Sequence, residues 1–309
     1  MIYESARTGA AEISGGRRER SKVTTMAKII DGKAISAQIK DELKEKAAAM
    51  KADGIEVTLA VIQVGKDPAS SVYVGNKKKA CAYIGIRSLA YELEEDTSQE
   101  ELLALIEELN ARNDVNGILV QLPLPGHIDE DKVIEAIAKE KDVDGFHPAN
   151  VASLWQKLPC TLPCTPKGII KMLDKAGVEI EGKKAVVIGR SNIVGLPVSK
   201  LLLDRNATVT MAHSRTKNLA EVTSAADILV VAIGRPRFVT ADMVGEGAAV
   251  IDVGVNRDPE TGKLCGDVDY EACKDKASVI TPVPGGVGPM TRACLMENTL
   301  ECFLRKMEK

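Results

Sequence analysis

Lys184-Ala-Val-Val-Ile-Gly-Arg-Ser-Asn-Ile-Val-Gly195 is the stretch on which the fold turns. An apolar run enters a glycine, and a helical pattern begins just beyond it. Such a strand–turn–helix corner leaves N–H groups free at the helix start, which suits a phosphate. The spacing departs from the usual G-x-G-x-x-G: Ser191 stands at the middle glycine's place, and the next glycine is Gly195. Taken alone, the corner is a weak signal, with an ordinary strand–turn–helix link of an α/β sheet as the lesser alternative.

The neighbouring strand sharpens the reading. Residues 207–212 are expected to form it, and it runs into His213-Ser-Arg-Thr216. An NAD site normally carries an acid at this strand end, to hold the ribose 2′-hydroxyl. Here hydroxyls and Arg215 occupy it, and Arg190 sits in the first turn. Cations and hydroxyls suit a 2′-phosphate, because charge-assisted bonds to phosphate oxygens are strong. The expected cofactor is NADP.

Outward from this corner, strands are expected at 184–188, 227–233, 248–253 and 278–281, with helices at 196–205 and about 292–306. Upstream the same rhythm runs through strands 57–64, 88–93 and 117–122 and helices 70–84, 98–112 and 129–139. Between the halves, residues 142–166 gather Pro148, Pro159, Pro163 and Pro166 and read as a hinge. The fold expected is α/β, with two doubly wound parallel-sheet domains and a cleft between them; the second is Rossmann-like and binds a dinucleotide. The domains are drawn at 26–147, completed by the last helix over 289–309, and at 148–288. Residues 1–25 lack apolar periodicity and read as a floppy tail or an over-extended start.

Composition narrows the function. The 309 residues are 45% hydrophobic and 28% charged, the balance of a globular domain. A net charge of −3 gives no basic footprint for nucleic acid. No apolar run reaches the roughly 18 residues of a membrane span. Seven cysteines, thinly scattered, read as free thiols, and three histidines leave little for a zinc site, so no metal is expected. A cytoplasmic location is expected.

Candidate chemistry lies in the first half. Tyr73 and Lys77 are four apart on helix 70–84 and share a face. Lys77-Lys78-Lys79 is a cationic run; neighbouring cations depress a lysine's pKa, although such runs are more often solvated. Gln121 ends a strand just before Leu122-Pro123 and can both donate and accept. Asp144 lies in Asp142-Val-Asp-Gly145, which fails as a calcium loop because its glycine comes too early. The glycines of Thr281-Pro-Val-Pro-Gly-Gly-Val-Gly288 let backbone approach a ligand.

Six segments stand in register: Tyr73-x-x-x-Lys77, Val120-Gln-Leu-Pro-Leu124, Lys141-Asp-Val-Asp-Gly-Phe146, Pro163-Cys-Thr-Pro-Lys-Gly168, Gly189 to Gly195, and Thr281 to Thr291. Together they resemble the bifunctional methylenetetrahydrofolate dehydrogenase/methenyltetrahydrofolate cyclohydrolase family from about Ala27 onward. The resemblance implies NADP-dependent oxidation of 5,10-methylenetetrahydrofolate, then hydrolysis of the methenyl product to 10-formyltetrahydrofolate. It implies Lys77 as general acid/base, Gln121 as its partner, Asp144 as the pterin's hydrogen-bond partner and Tyr73 as a stacking surface. Val120, Leu122, Pro284, Gly285, Gly286, Val287 and Gly288 should line the folate cleft. Gly189, Arg190, Ser191, Ser214 and Val255 should touch NADP. A homodimer and a supply of formyl groups for purine synthesis are also implied, and a fused ligase activity is not expected. The rivals are a monofunctional dehydrogenase on the same fold, against which Lys77 and Gln121 count, and a silent nucleotide-binding module, against which the presence of Lys77, Gln121 and Asp144 counts.

Overall fold

A computed structural model describes residues 27–307, so the expectation for residues 1–25 lies outside the described residues. The chain runs β1 (Lys28–Ile29), α1 (Gly32–Ala52), β2 (Thr58–Val64), α2 (Pro68–Ile84), β3 (Arg87–Leu93), α3 (Gln99–Ala111) and β4 (Gly117–Val120). It continues with α4 (Glu130–Ala136), α5 (Pro148–Trp155), α6 (Cys164–Ala176), β5 (Lys184–Ile188), α7 (Gly195–Asp204), β6 (Thr208–Ala212) and α8 (Leu219–Ser224). The remainder is β7 (Ile228–Val231), β8 (Ala249–Asp252), β9 (Asn256–Arg257), β10 (Leu264–Cys265), α9 (Tyr270–Cys273), β11 (Val279–Ile280) and α10 (Val287–Met307). No described helix is long and apolar enough to cross a membrane.

Two parallel sheets organise these elements. The first has the order β3-β2-β4, and the second β1-β11-β8-β7-β5-β6. β2 is buried along its whole length, as a continuous β-branched run with helices on both faces requires. Leu59, Val61 and Leu119 face α1, α2 and α10, while Ala60, Ile62 and Val120 face α3 and α4. Across the second sheet the same alternation sends Val187 and Val230 one way and Val186 and Leu229 the other.

Three findings revise the sequence reading. Residues 28–29, which the sequence reading places in the first domain without a strand, form one that pairs in parallel with β11 of the second sheet. Residues 142–166 are no extended hinge, since α5 lies within them and α6 begins there. Pro148 is the first residue of α5 and Pro166 lies in the first turn of α6, positions whose N–H has no partner within the helix, so neither breaks it. Helix α1 was not anticipated, although Ser36, Ile39, Leu43 and Ala47 are buried at helical spacing and Asp31 caps it by accepting from Ala34 N at 2.9 Å.

The last helix ties the units together. α10 packs on α1, α2, α6 and β4, and one apolar core runs continuously through both halves. Lys167, buried on α6, reaches Glu297 at 3.0 Å, Glu301 at 2.7 Å and Asn298 Oδ1 at 2.9 Å, all on α10. A Cβ on Gly168 would lie 3.1 Å from Met290 Cβ, so the two helices meet closely.

Candidate active site

Each sheet has a place where the chain reverses its direction of spread, and ligand crevices open at the carboxyl ends of strands there. In the first sheet this is between β2 and β4. Helix α2 leaves the end of β2 and carries Lys77; Gln121 follows β4, extending the ladder by donating its N–H to Ile62 O at 2.8 Å. Lys77 Nζ donates to Gln121 Oε1 at 2.9 Å. Gln121 Nε2 donates to the Leu122 carbonyl, which fixes the amide with its oxygen toward the lysine.

The lysine run separates in space. Lys78 pairs with Glu92 at 2.6 Å on the surface, and Lys79 is exposed. Burial holds the Lys77 amine below its ordinary 10.5, opposed first by Asp144, whose charge favours the ammonium. Desolvation therefore replaces the neighbouring cations expected from sequence as the cause. Burial also pushes Asp144 up to about 6, with Lys77 pulling it back and Asp142 adding to the rise. Tyr73, one turn before Lys77, is partly exposed.

The Lys141–Phe146 segment divides its labour. Lys141 Nζ donates to the carbonyls of Leu109, Asn110 and Arg112 at 2.9, 2.8 and 2.6 Å, closing the end of α3. Asp142 accepts from Gly145 N and His147 N at 2.9 Å each and from Asn150 Nδ2 at 2.8 Å, which shapes the turn. Gly145 has φ +75°, and a Cβ there would strike Pro163 N at 2.7 Å. Of the three charged residues in the segment, Asp144 is the one in electrostatic contact with Lys77.

The loop 281–288 rests on α1. Lys33 N donates to Gly285 O at 2.9 Å, and a Cβ on Gly32 would sit 1.9 Å from Gly286 O. Pro284 is exposed and Gly286 buried, while Val287 already opens α10, earlier than the expected start at 292.

In the second sheet the reversal lies between β5 and β7. Gly189 follows β5 with φ +121°, and a Cβ there would reach Ala232 O at 2.2 Å. A Cβ on Gly195 would meet Gly189 O at 2.4 Å, so the irregular glycine pair still serves a tight turn and a close helix. Ser191 Oγ accepts from Val194 N and Gly195 N at 3.2 and 3.3 Å, keeping its own proton to donate outward. Arg190, Ser214 and Arg215 are exposed beside this turn, and Val255 is half-exposed after β8. Glycine-cleared backbone, a free hydroxyl proton and two unburied guanidinium groups fit a phosphorylated dinucleotide. Between the units lies a cavity of about 850 Å³ whose lining includes Leu122, Pro123, Phe146, Trp155, Asn192 and Ile193. Asp252, at the end of β8, and Asp267, just after β10, are buried and escaped the sequence reading; acids flanked by Gly254 and Gly266 at strand ends were the available signal.

A dinucleotide corner, a cavity shared by two α/β units and a desolvated lysine held by an amide define a nicotinamide-nucleotide enzyme with a second, proton-transferring capacity. Residues 30–144 match the tetrahydrofolate dehydrogenase/cyclohydrolase catalytic domain, and residues 163–307 match that family's NAD(P)-binding domain. The chain belongs to the tetrahydrofolate dehydrogenase/cyclohydrolase family. It is 66% identical over 273 residues to the bifunctional protein FolD of Lachnoclostridium phytofermentans, covering 88% of this chain and 96% of that one. The structure of bifunctional FolD from Campylobacter jejuni superposes with a TM-score of 0.89 at 53% identity, over 91% of this chain and 99% of the other. The Trypanosoma brucei dehydrogenase–cyclohydrolase, solved with NADP and an inhibitor, gives 0.88 at 40% identity, over 92% and 100%.

Proposed function

We propose that Lys77, Gln121 and Asp144 run both of this enzyme's reactions in the one cleft. The enzyme is bifunctional: it oxidises 5,10-methylenetetrahydrofolate with NADP to the 5,10-methenyl cation and hydrolyses that cation to 10-formyltetrahydrofolate. The observation that carries the site assignment is the 2.9 Å bond between Lys77 Nζ and Gln121 Oε1.

NADP, when bound, supplies the acceptor for the hydride leaving the methylene carbon. Gly189, Arg190, Ser191, Ser214 and Val255 would hold it, and the protein's share of this step is alignment and exclusion of water. The methenyl carbon is then electrophilic enough for water to add without a metal. Lys77, as the neutral amine that burial favours, takes the proton from that water as the C–O bond forms. The same ammonium returns a proton to N5; as the C–N5 bond breaks, the carbinol O–H gives its proton back to the Lys77 amine, the C=O closes with the formyl group left on N10, and one proton per turnover passes from Lys77 to solvent. Gln121 Oε1 accepts from the amine in either state and keeps it aimed. Asp144 holds the pterin, Tyr73 stacks along the folate, and Val120, Leu122 and residues 284–288 enclose it.

A homodimer through the second sheet is part of the same reading; β6 is an edge strand of that sheet, paired on one side with β5. So are a cytoplasmic location and a supply of formyl groups to purine synthesis. The test is a time course with methylenetetrahydrofolate and NADP, following reduced nucleotide and methenyl absorbance together. Reduced nucleotide with little methenyl accumulation is expected. Methenyl rising as fast as reduced nucleotide would leave Lys77 without its role.

A further inference from the structure

Asp267 lies between β10 and α9, has no exposed surface, and takes no part in the chemistry derived above. Its Oδ2 accepts from Ile233 N at 2.7 Å and Gly234 N at 3.0 Å. Its Oδ1 accepts from Arg235 N at 2.8 Å and Asn256 Nδ2 at 2.8 Å. Residues 233–235 lie in the loop leaving β7, residues 253–255 form the loop leaving β8, and Asn256 opens β9. A Cβ on Gly254 would lie 2.2 Å from Asp267 Oδ1, so glycine admits the carboxylate between the two loops. Behind it, Asp252 accepts from Asp267 N at 2.9 Å, Val268 N at 3.0 Å and Gly254 N at 3.0 Å. Asp252 N donates to Thr281 Oγ1 at 2.8 Å, at the start of the 281–288 loop.

We propose that Asp267 is a positioning residue for the nucleotide: its carboxylate latches the loops after β7 and β8 together and, through Asp252 and Thr281, sets them against the folate loop. This rests on the nucleotide-dependent reading above and deepens it. The phosphate-bearing corner is at β5 and β6, so the rest of a dinucleotide extends across the carboxyl ends of β7 and β8, where the latched loops lie. Three consecutive N–H groups converging on one point form an anion-binding concavity. Here the protein's own carboxylate fills it, which leaves the Gly189 corner for the nucleotide's phosphates. Asp267→Asn is isosteric but turns an amide NH2 toward N–H donors, so one side of the latch loses its acceptor.

The test titrates NADP, by calorimetry without folate, into the wild type, Asp267→Asn and Asn256→Ala. In parallel, hydrolysis of preformed methenyltetrahydrofolate is measured without nucleotide. The expected result is NADP affinity weaker by about 10-fold or more in Asp267→Asn and by about 2–5-fold in Asn256→Ala. Cyclohydrolase kcat and its KM for folate should stay within about threefold in both variants, a split that general loosening of the fold would not produce. Unchanged NADP affinity in a folded Asp267→Asn overturns the latch. If that variant does not fold, unchanged affinity in Asn256→Ala overturns it. Equal loss of NADP affinity and cyclohydrolase rate in Asn256→Ala overturns it as well. A wild-type protein that binds no NADP removes the nucleotide reading itself and the latch with it.

Discussion

Replacing Lys77 by Met removes the amine while keeping an unbranched side chain of similar length in the buried space. The proton transfer proposed for it is worth about 10²–10⁴ in rate, or about 3–5 kcal/mol of activation free energy at 1.36 kcal/mol per decade. Stability moves far less, for a reason set by the structure. Burial holds the amine's folded pKa below 10.5, so in the window between the lowered value and 10.5 the unfolded chain binds more protons than the native one. Stability therefore rises with pH across that window, and the desolvation that lowers the pKa is a burden on the fold that Met lifts. Against this, Gln121 Oε1 loses its donor, at a cost of about 1–3 kcal/mol if no water replaces it. The assay follows methenyl hydrolysis without nucleotide, then methenyl build-up during methylenetetrahydrofolate oxidation, alongside a melting curve. Hydrolysis should fall at least 100-fold while oxidation persists and methenyl accumulates. Wild-type hydrolysis, or an equal loss of both activities with an unchanged melting curve, would refute the reasoning.

Other substitutions probe the remaining parts of the site. Asp144→Asn should impair both activities through folate placement; its residual hydrolysis should keep its rate to lower pH, because the lost carboxylate favours the Lys77 ammonium. Since Asp144 is raised to about 6 in the fold, it erodes wild-type stability as pH rises from about 4 to 6, and chemical denaturation of the Asn variant should show that slope reduced. Arg190→Ala should lower kcat/KM for NADP by roughly 10–100-fold, in line with one lost charge-assisted bond, while leaving NAD turnover nearly unchanged; equal losses with both nucleotides would count against a 2′-phosphate contact. Gly189→Ala places a Cβ 2.2 Å from Ala232 O at φ +121°. That should cost about 2–5 kcal/mol of stability and weaken NADP binding, with a native-like melting temperature as the contrary result.

Much of the fold is legible because period and punctuation act locally. Lys184–Ile188 is a strand in the sequence reading and in the structure alike, since a short β-branched run closed by glycine has few other uses. Pro148 and Pro166 misled because a proline's meaning depends on its place within a helix turn, and its neighbours alone do not reveal that place. The pairing of residues 28–29 with β11 was out of reach: parallel partners some 250 residues apart leave no local mark. Lys77 itself was visible, but the reason for its lowered pKa was not, because desolvation depends on what the rest of the chain packs around it.

From residue order alone came the alternation of strands and helices, the two parallel sheets, and the chemical types required: an amine, an amide, a carboxylate and glycine corners. Those follow from steric and hydrophobic rules that act over a few residues. Tertiary structure decided that Lys77 is desolvated by burial, and that Lys141 and Lys167 serve a helix end and a helix pair. It also decided that a remote aspartate, Asp267, holds the loops after β7 and β8. The physical reason is that burial, hydrogen-bond partners and pKa are properties of an environment assembled from distant segments, which exists once the sheets and α10 have packed.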